Sequence, residues 1–178
     1  ADKSLSRSVY LPLLRGLTPR ALEAFDPVEQ TLVTGSRETT TVPGQALFLL
    51  NSSFVRRQSL ALAEKVLKDT QSESDRIRQV YQLTLNRTPT ANELTRATNF
   101  LAEYEVVARE VLASTKPVTE KPPVPKKKAD EPPLDPDQID QTGETVAEEV
   151  IQPKDAKTAA WLAFVQSLYG SAEFRFLK

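Results

Sequence analysis

Proline is concentrated in one segment of this chain. Of the 13 prolines in 178 residues, eight lie between Lys116 and Pro153. The same segment holds nine acidic residues and five lysines, and it has no aromatic residue. Such a composition cannot bury enough apolar surface to offset the entropy that is lost on ordering. We therefore predict that residues 116–153 form a flexible, proline- and acid-rich insertion within a single domain of residues 1–178.

Outside the insertion, the clearest pattern predicts a helix over Ala91–Ala113. Thr90 and Glu93 are spaced as a capping box, in which each side chain accepts a hydrogen bond from the amide of the other residue. Apolar residues then recur at spacings of three and four, which places them on one face of a helix. That face consists of Leu94, Ala97, Leu101, Tyr104, Ala108 and Val111, with Phe100, Val107 and Leu112 beside them. We interpret it as directed at the core, in preference to a coiled-coil partner site.

Similar patterns predict further helices on both sides of the insertion. They are Thr18–Phe25, Gly44–Leu50 with Pro43 in its first turn, Ser53–Lys68, a helix that Ser72 or Ser74 caps and that ends near Asn86, and Asp155–Tyr169 followed by Gly170. A weaker pattern suggests a short helix over Glu144–Ile151. One possible strand, Ser8–Leu11, is cut short by Pro12, and Thr39–Val42 is β-branched but brief. The predicted fold class is mainly α: a compact antiparallel helical bundle with a long disordered insertion before the last helix.

Large apolar side chains near the C-terminus indicate that the last helix returns to the bundle. They are Trp161, Phe164, Leu168, Phe174 and Phe176. Exposing so much aromatic surface to water is unfavourable, so we expect these side chains to pack on the other helices. Trp161, the one tryptophan of the chain, is the expected anchor.

The chain has no histidine, no cysteine and no methionine. These absences exclude a disulfide, a thiol nucleophile, a Cys/His zinc site and a Ser-His-Asp triad within the chain. They also exclude the usual axial ligands of haem. The sequence therefore indicates no catalytic residue, no metal ligand and no cofactor in this fragment, and it disfavours an enzymatic role.

Charge and hydropathy narrow the range of partners. The formal net charge is −1, and the basic clusters are limited to Arg56–Arg57 and Lys126–Lys128, so we expect no binding to nucleic acid. The longest apolar run, Ala159–Val165, is far shorter than the ~20 residues that a bilayer requires, so we expect no direct insertion into a membrane. Because the chain begins with Ala1 rather than methionine, we expect it to be a fragment or a processed product.

One loop is more polar than a simple connection requires. It forms the first part of the segment 34–52, contains Arg37 and leads directly into the apolar helix of the same segment, whose N-terminus would attract anions. The candidate ligand-binding residues are Arg37, Thr39, Thr40, Thr41, Gln45 and Asn51. The alternative, which we favour, is that these side chains satisfy the backbone of a partly buried loop.

Several short motifs of the chain resemble one protein family. The first are Arg7-Ser8-Val9-Tyr10-Leu11-Pro12, Phe25-Asp26, Thr34-Gly35-x-Arg37 and Thr40-Thr41-Val42-Pro43-x-Gln45-Ala46-Leu47-x-Leu49-Leu50-Asn51-Ser52. The later ones are Ile77-Arg78-x-x-Tyr81, Leu85-x-Arg87-x-Pro89-Thr90-x-x-Glu93-Leu94 and Trp161…Ser167-Leu168-x-x-Ser171-x-Glu173-Phe174. In these motifs the chain is similar to the planctomycete C-terminal domain of unknown function that is found beside planctomycete cytochrome-c-like domains.

The resemblance implies a multidomain protein that is exported to the periplasm or the cell surface, with this chain as its C-terminal part. It implies that any haem motif belongs to another domain, and it carries no catalytic residue over to this chain. The function it favours is a non-catalytic helical interaction or scaffold domain that contacts upstream domains of the same protein or a cell-surface protein partner. The alternative is part of an enzyme or ligand-binding site for an anionic, for example sulfated, glycan that upstream domains complete.

Overall fold

The protein folds as a bundle of helices. A computed structural model describes Tyr10, Leu22, Ala24, Phe25 and residues 43–68, 72–114 and 151–176. In these parts of the chain the helices are α1 (Pro43–Asn51), α2 (Ser53–Lys68), α3 (Glu73–Leu85), α4 (Ala91–Ser114), α5 (Ala156–Gly170) and α6 (Ala172–Arg175). The described residues contain no strand, and the predicted fold class, a mainly α antiparallel bundle, is confirmed.

The helix ends follow local capping chemistry. Ser72, one of the two residues predicted to cap α3, accepts a 3.3 Å hydrogen bond from the amide of Asp75. Helix α3 stops at Leu85 because Asn86 adopts a left-handed conformation with φ of 54°. Asparagine tolerates that conformation better than most residues do. The predicted capping box of α4 also forms, with Thr90 and Glu93 each accepting from the other's amide.

Helix α5 occupies the centre of the bundle, packing on α1, α2, α3 and α4. Its N-cap is Asp155, whose side chain accepts a 2.7 Å hydrogen bond from the amide of Thr158. Most of its circumference is buried, as expected of a helix with apolar residues on every side. The buried residues are Thr158, Ala159, Ala160, Trp161, Leu162, Phe164, Val165, Gln166 and Leu168.

The core forms where α5 meets the longer helices. Trp161 is 1% exposed, which confirms its predicted role as an anchor. The ring of Phe164 lies 6.0 Å from that of Trp161, 6.2 Å from Tyr81 and 6.4 Å from Phe100. The remaining core residues are Ala63 and Val66 of α2, Ile77 and Val80 of α3, Ala97 and Leu101 of α4, and Ala160, Val165 and Leu168 of α5.

The predicted core-facing stripe of α4 is buried only in part, so that prediction was wrong for several of its residues. Ala97, Leu101 and Ala108 are buried, and Leu94 packs against the core. The exposed members are Phe100, Tyr104, Val107, Val111 and Leu112. Helix α4 is about 36 Å long and α5 only about 22 Å, at ~1.5 Å per residue. Because α4 is longer and its apolar arc is wide, the described neighbours cover only one side of that arc.

The C-terminal aromatics also differ from the prediction. Phe174 is half-buried, with its ring centre 4.9 Å from that of Tyr169. Phe176 is 49% exposed, and the guanidinium of Arg175 lies over its ring at 5.6 Å. The expectation that Phe176 packs in the core was therefore wrong.

Gly170 was predicted to lie beyond the last helix and instead forms the last residue of α5. Ser171 caps both neighbouring helices, since its backbone N–H donates to Leu168 and its side chain accepts from the amide of Phe174. One residue therefore ends α5 and begins α6, which explains how the chain turns without a longer connection.

Several predictions fall largely outside the described residues. Of the insertion over 116–153, only residues 151–153 are described, and the β-branched segment Thr39–Val42 lies outside entirely. Of the helix over Glu144–Ile151 only Ile151 is described, and it is not helical. For the strand at Ser8–Leu11, the one described residue, Tyr10, lies in a 3-10 turn, so the strand prediction was wrong there. In the helix over Thr18–Phe25, the amide of Phe25 donates a 3.0 Å hydrogen bond to Leu22.

Candidate functional site

Most of the ligand-binding loop predicted from the sequence lies outside the described residues. This applies to Arg37, Thr39, Thr40 and Thr41. Gln45 is half-buried in the first turn of α1, and Asn51 is exposed at the end of the same helix. Six residues on a helix differ by roughly 240° in direction, so Gln45 and Asn51 lie on different faces. The anion-binding role of the loop stays a prediction.

A continuous apolar stripe lies exposed on α4. Phe100, Tyr104, Val107 and Val111 follow one another at spacings of four, three and four, which confines them to an arc of about 60°. They are 36%, 40%, 55% and 53% exposed, respectively. We call these four residues the α4 stripe. Such spacing is that of the a and d positions of a helix-pairing seam.

The α4 stripe is anchored to the hydrophobic core along one of its edges. On one side it adjoins Ala97, Leu101 and Ala108, which are buried on the same helix. Phe100 joins the two zones, because its ring lies 5.5 Å from that of Tyr104 and 6.4 Å from that of the buried Phe164. The stripe is therefore preorganised, which lowers the entropic cost of binding a partner.

The other side of the stripe has a charged border. Three charged residues lie along this edge at intervals of seven residues, or about two helical turns. They are Arg96, Glu103 and Glu110, and all three are exposed. Neither glutamate forms an ion pair within the part of the chain that the structure describes. On another face of the helix, by contrast, Glu105 is paired with Arg109 at 3.0 Å. We call Glu103 and Glu110 the acidic border.

A cluster around Arg87 positions the start of α4. The Arg87 guanidinium donates to both carboxylate oxygens of Glu93, at 2.9 and 2.6 Å, and to both of Glu173, at 2.5 and 2.8 Å. It also lies 5.3 Å from the ring centre of Tyr81. We call this arrangement the Arg87 clamp. It joins the α3–α4 turn to α6 across 86 residues of sequence.

The electrostatics of the Arg87 clamp indicate a structural role rather than acid–base chemistry. Hydrogen bonds from Arg87 and from the Thr90 amide lower the pKa of Glu93 to about 2. Hydrogen bonds from Arg87 likewise lower the pKa of Glu173, and both carboxylates in turn raise the pKa of Arg87. All three groups therefore stay charged near neutral pH, so none is tuned to transfer a proton there.

Sequence reasoning identified the residues of the α4 stripe but not their exposure. The sequence signal for this exposure was the width of the apolar arc of α4. Val106–Val107 and Val111–Leu112 add apolar residues beyond those that the core can cover. The Arg87 clamp was missed, although Arg87, Glu93 and Glu173 all occur in the motifs that carry the family resemblance. No spacing rule links a turn residue to a glutamate so far along the chain.

The described residues contain no group of three or more acidic side chains that could hold a metal ion. None of the described helices combines the length and apolarity needed to cross a membrane. The features that stand out are the α4 stripe and the clamp that orients its helix. Together they define a helical bundle domain that presents an apolar surface to solvent.

A family can be assigned to this domain. The chain belongs to the family described as protein of unknown function (DUF1553), also termed PSD1, whose model matches residues 1–101. The match ends within α4, so Tyr104, Val107 and Val111 lie beyond it, as does Glu173. No curated protein and no solved structure matches the chain.

Proposed function

We propose that this chain is a non-catalytic helical interaction domain that docks on other proteins or domains through the α4 stripe. The observation that carries the proposal is the exposure of Tyr104 and Val107 on α4, a helix whose N-terminal end is positioned by the Arg87 clamp. An exposed contiguous apolar patch on a folded domain commonly marks an interaction site. Because the stripe is short, the interface it forms would be of the small, weak class unless a partner extends beyond it.

We propose further that the partner is an upstream domain of the same protein or a protein at the cell surface. The family motifs of the chain, such as Leu85-x-Arg87-x-Pro89-Thr90-x-x-Glu93-Leu94, support a planctomycete origin, export, and an association with cytochrome-c-like domains, with any haem held by a neighbouring domain. In this arrangement the domain acts as a scaffold, and the chemistry belongs to the domain it contacts.

Site-specific crosslinking in the full-length protein tests this function. A photoreactive phenylalanine analogue placed at Val107 should give crosslinks, mapped by mass spectrometry, to another domain or to a partner protein. The same analogue at Leu83 is the matched control, because Leu83 on α3 is 52% exposed and Val107 is 55% exposed. Equal crosslinking from positions 83 and 107, or none from 107, would contradict the proposal.

A further inference from the structure

The acidic border points to the chemistry of the partner that the α4 stripe binds. Resting on the proposed function, we propose that the stripe docks an amphipathic helix whose own apolar stripe is flanked by lysine or arginine. Glu103 and Glu110 lie along the exposed edge of the stripe, two turns of helix apart, at the position where a paired helix places its flanking charges.

The charges of the border are available to a partner. Neither Glu103 nor Glu110 forms an ion pair within the described part of the chain, whereas Glu105 on a different face is paired with Arg109. A basic flank would neutralise both carboxylates as the apolar stripes meet. An acidic flank would bring like charges together in the same place. The acidic border therefore attracts helices with a basic flank and also disfavours helices with an acidic flank.

The same border disfavours a second copy of this chain as the occupant. If two α4 helices pair in antiparallel fashion with Tyr104 of one against Val107 of the other, Glu103 of each lies beside Glu110 of its partner. That pairing places two like-charged contacts at the edge of the interface. Arg96 lies further toward the start of the helix, beyond these contacts, and does not relieve them.

Two matched peptides test the proposal. Both are designed amphipathic helices with the same leucine and isoleucine stripe, one flanked by lysine and the other by glutamate. Binding to the chain is measured by fluorescence anisotropy at low salt. We expect the lysine-flanked peptide to bind at least roughly tenfold more tightly, with a preference that weakens as salt is added. Reversal of this order by the double variant Glu103→Lys, Glu110→Lys would support the proposal directly.

Surface variants separate this inference from the proposed function. Val107→Glu should abolish binding of the lysine-flanked peptide, whereas Leu83→Glu, at a position of equal exposure, should not. If both peptides bind equally and Val107→Glu abolishes both, the docking surface stands and the basic partner is overturned. If binding does not respond to Val107→Glu, the docking surface itself is overturned.

Analytical ultracentrifugation of the chain without a peptide tests whether a second copy occupies the stripe. We expect a monomer, because the acidic borders of two copies repel each other. A dimer that Val107→Glu dissociates would identify a second copy as the occupant and would overturn the basic partner. Circular dichroism of every variant should match that of the wild type, since the substituted side chains are all exposed.

Discussion

Arg56 donates a 3.0 Å hydrogen bond from Nε to the backbone carbonyl oxygen of Ile151, which lies 95 residues further along the chain. Close by, Lys154 Nζ lies 3.3 Å from Glu64 Oε1. Both contacts attach the start of the C-terminal segment to α2, immediately before α5 enters the core. They fix the position on α2 at which the C-terminal segment joins the bundle.

Cleavage within residues 116–153 should leave the two pieces bound to each other. A protease should cut there first, because the proline- and acid-rich composition predicts an extended, accessible segment. The C-terminal piece should remain because Trp161 and the other buried residues of α5 hold it in the core. The nicked protein should elute as one peak in size-exclusion chromatography and separate in denaturant. Elution of a separate C-terminal piece under native conditions would refute this.

Replacing Arg87 should destabilise the domain moderately. Arg87→Met removes both bidentate contacts of the clamp, and we expect a loss of about 1 kcal/mol, since the clamp is partly screened by solvent. Such a loss would lower the melting temperature by a few degrees. Arg78→Met is the matched control, because Arg78 pairs with Asp75 alone among the residues that the structure describes, and both side chains are half-exposed. Equal melting temperatures for the two variants would show that the clamp contributes nothing beyond a surface ion pair.

Stability should fall on acidification because of Glu93. Its pKa is about 2 in the folded chain, below the ordinary value of 4.5, so the unfolded chain binds a proton more readily. The contribution of this group is complete above about pH 4.5 and is lost as the pH falls through 2. The lowered pKa of Glu173 acts in the same direction. Chemical denaturation across this range should show a shallower decline in Glu93→Gln than in the wild type, and an identical slope would contradict the assignment.

Two glycine substitutions should differ in their effect. A side chain added at Gly44 meets nothing within 4 Å, so Gly44→Ala should stabilise α1 by roughly 0.5 kcal/mol through reduced freedom of the unfolded chain. At Gly170 a Cβ atom would lie 3.2 Å from Leu50 Cδ2. Leu50 is half-exposed and can move, so Gly170→Ala should be nearly neutral, whereas the bulkier Gly170→Val should be destabilising. Thermal melts of the three variants test this order, and Gly170→Ala more stable than Gly44→Ala would contradict it.

Local features of the sequence predicted much of the fold. Neighbouring residues determine helix ends, so the sequence predicted the capping box of Thr90 and Glu93 and a serine cap at residue 72 or 74, of which the structure shows Ser72. The burial of α5 and the anchoring role of Trp161 followed from the large apolar side chains of that segment. The ligand loop around Arg37 was also predicted from local pattern, and all of its candidate residues except Gln45 and Asn51 lie outside the described residues.

Tertiary structure alone decided the two features on which the proposed function depends. Periodicity shows that Tyr104 and Val107 share a face, but whether a neighbour covers that face depends on where α5 and the other helices lie. The Arg87 clamp likewise needs Glu173, which reaches Arg87 only after the chain has returned through α5 and turned at Ser171. The sequence by itself determined the helices, their caps and their apolar faces, because those depend on residues a few positions apart. Only the packing of helices distant in sequence decided which apolar face stays in water and which charges meet.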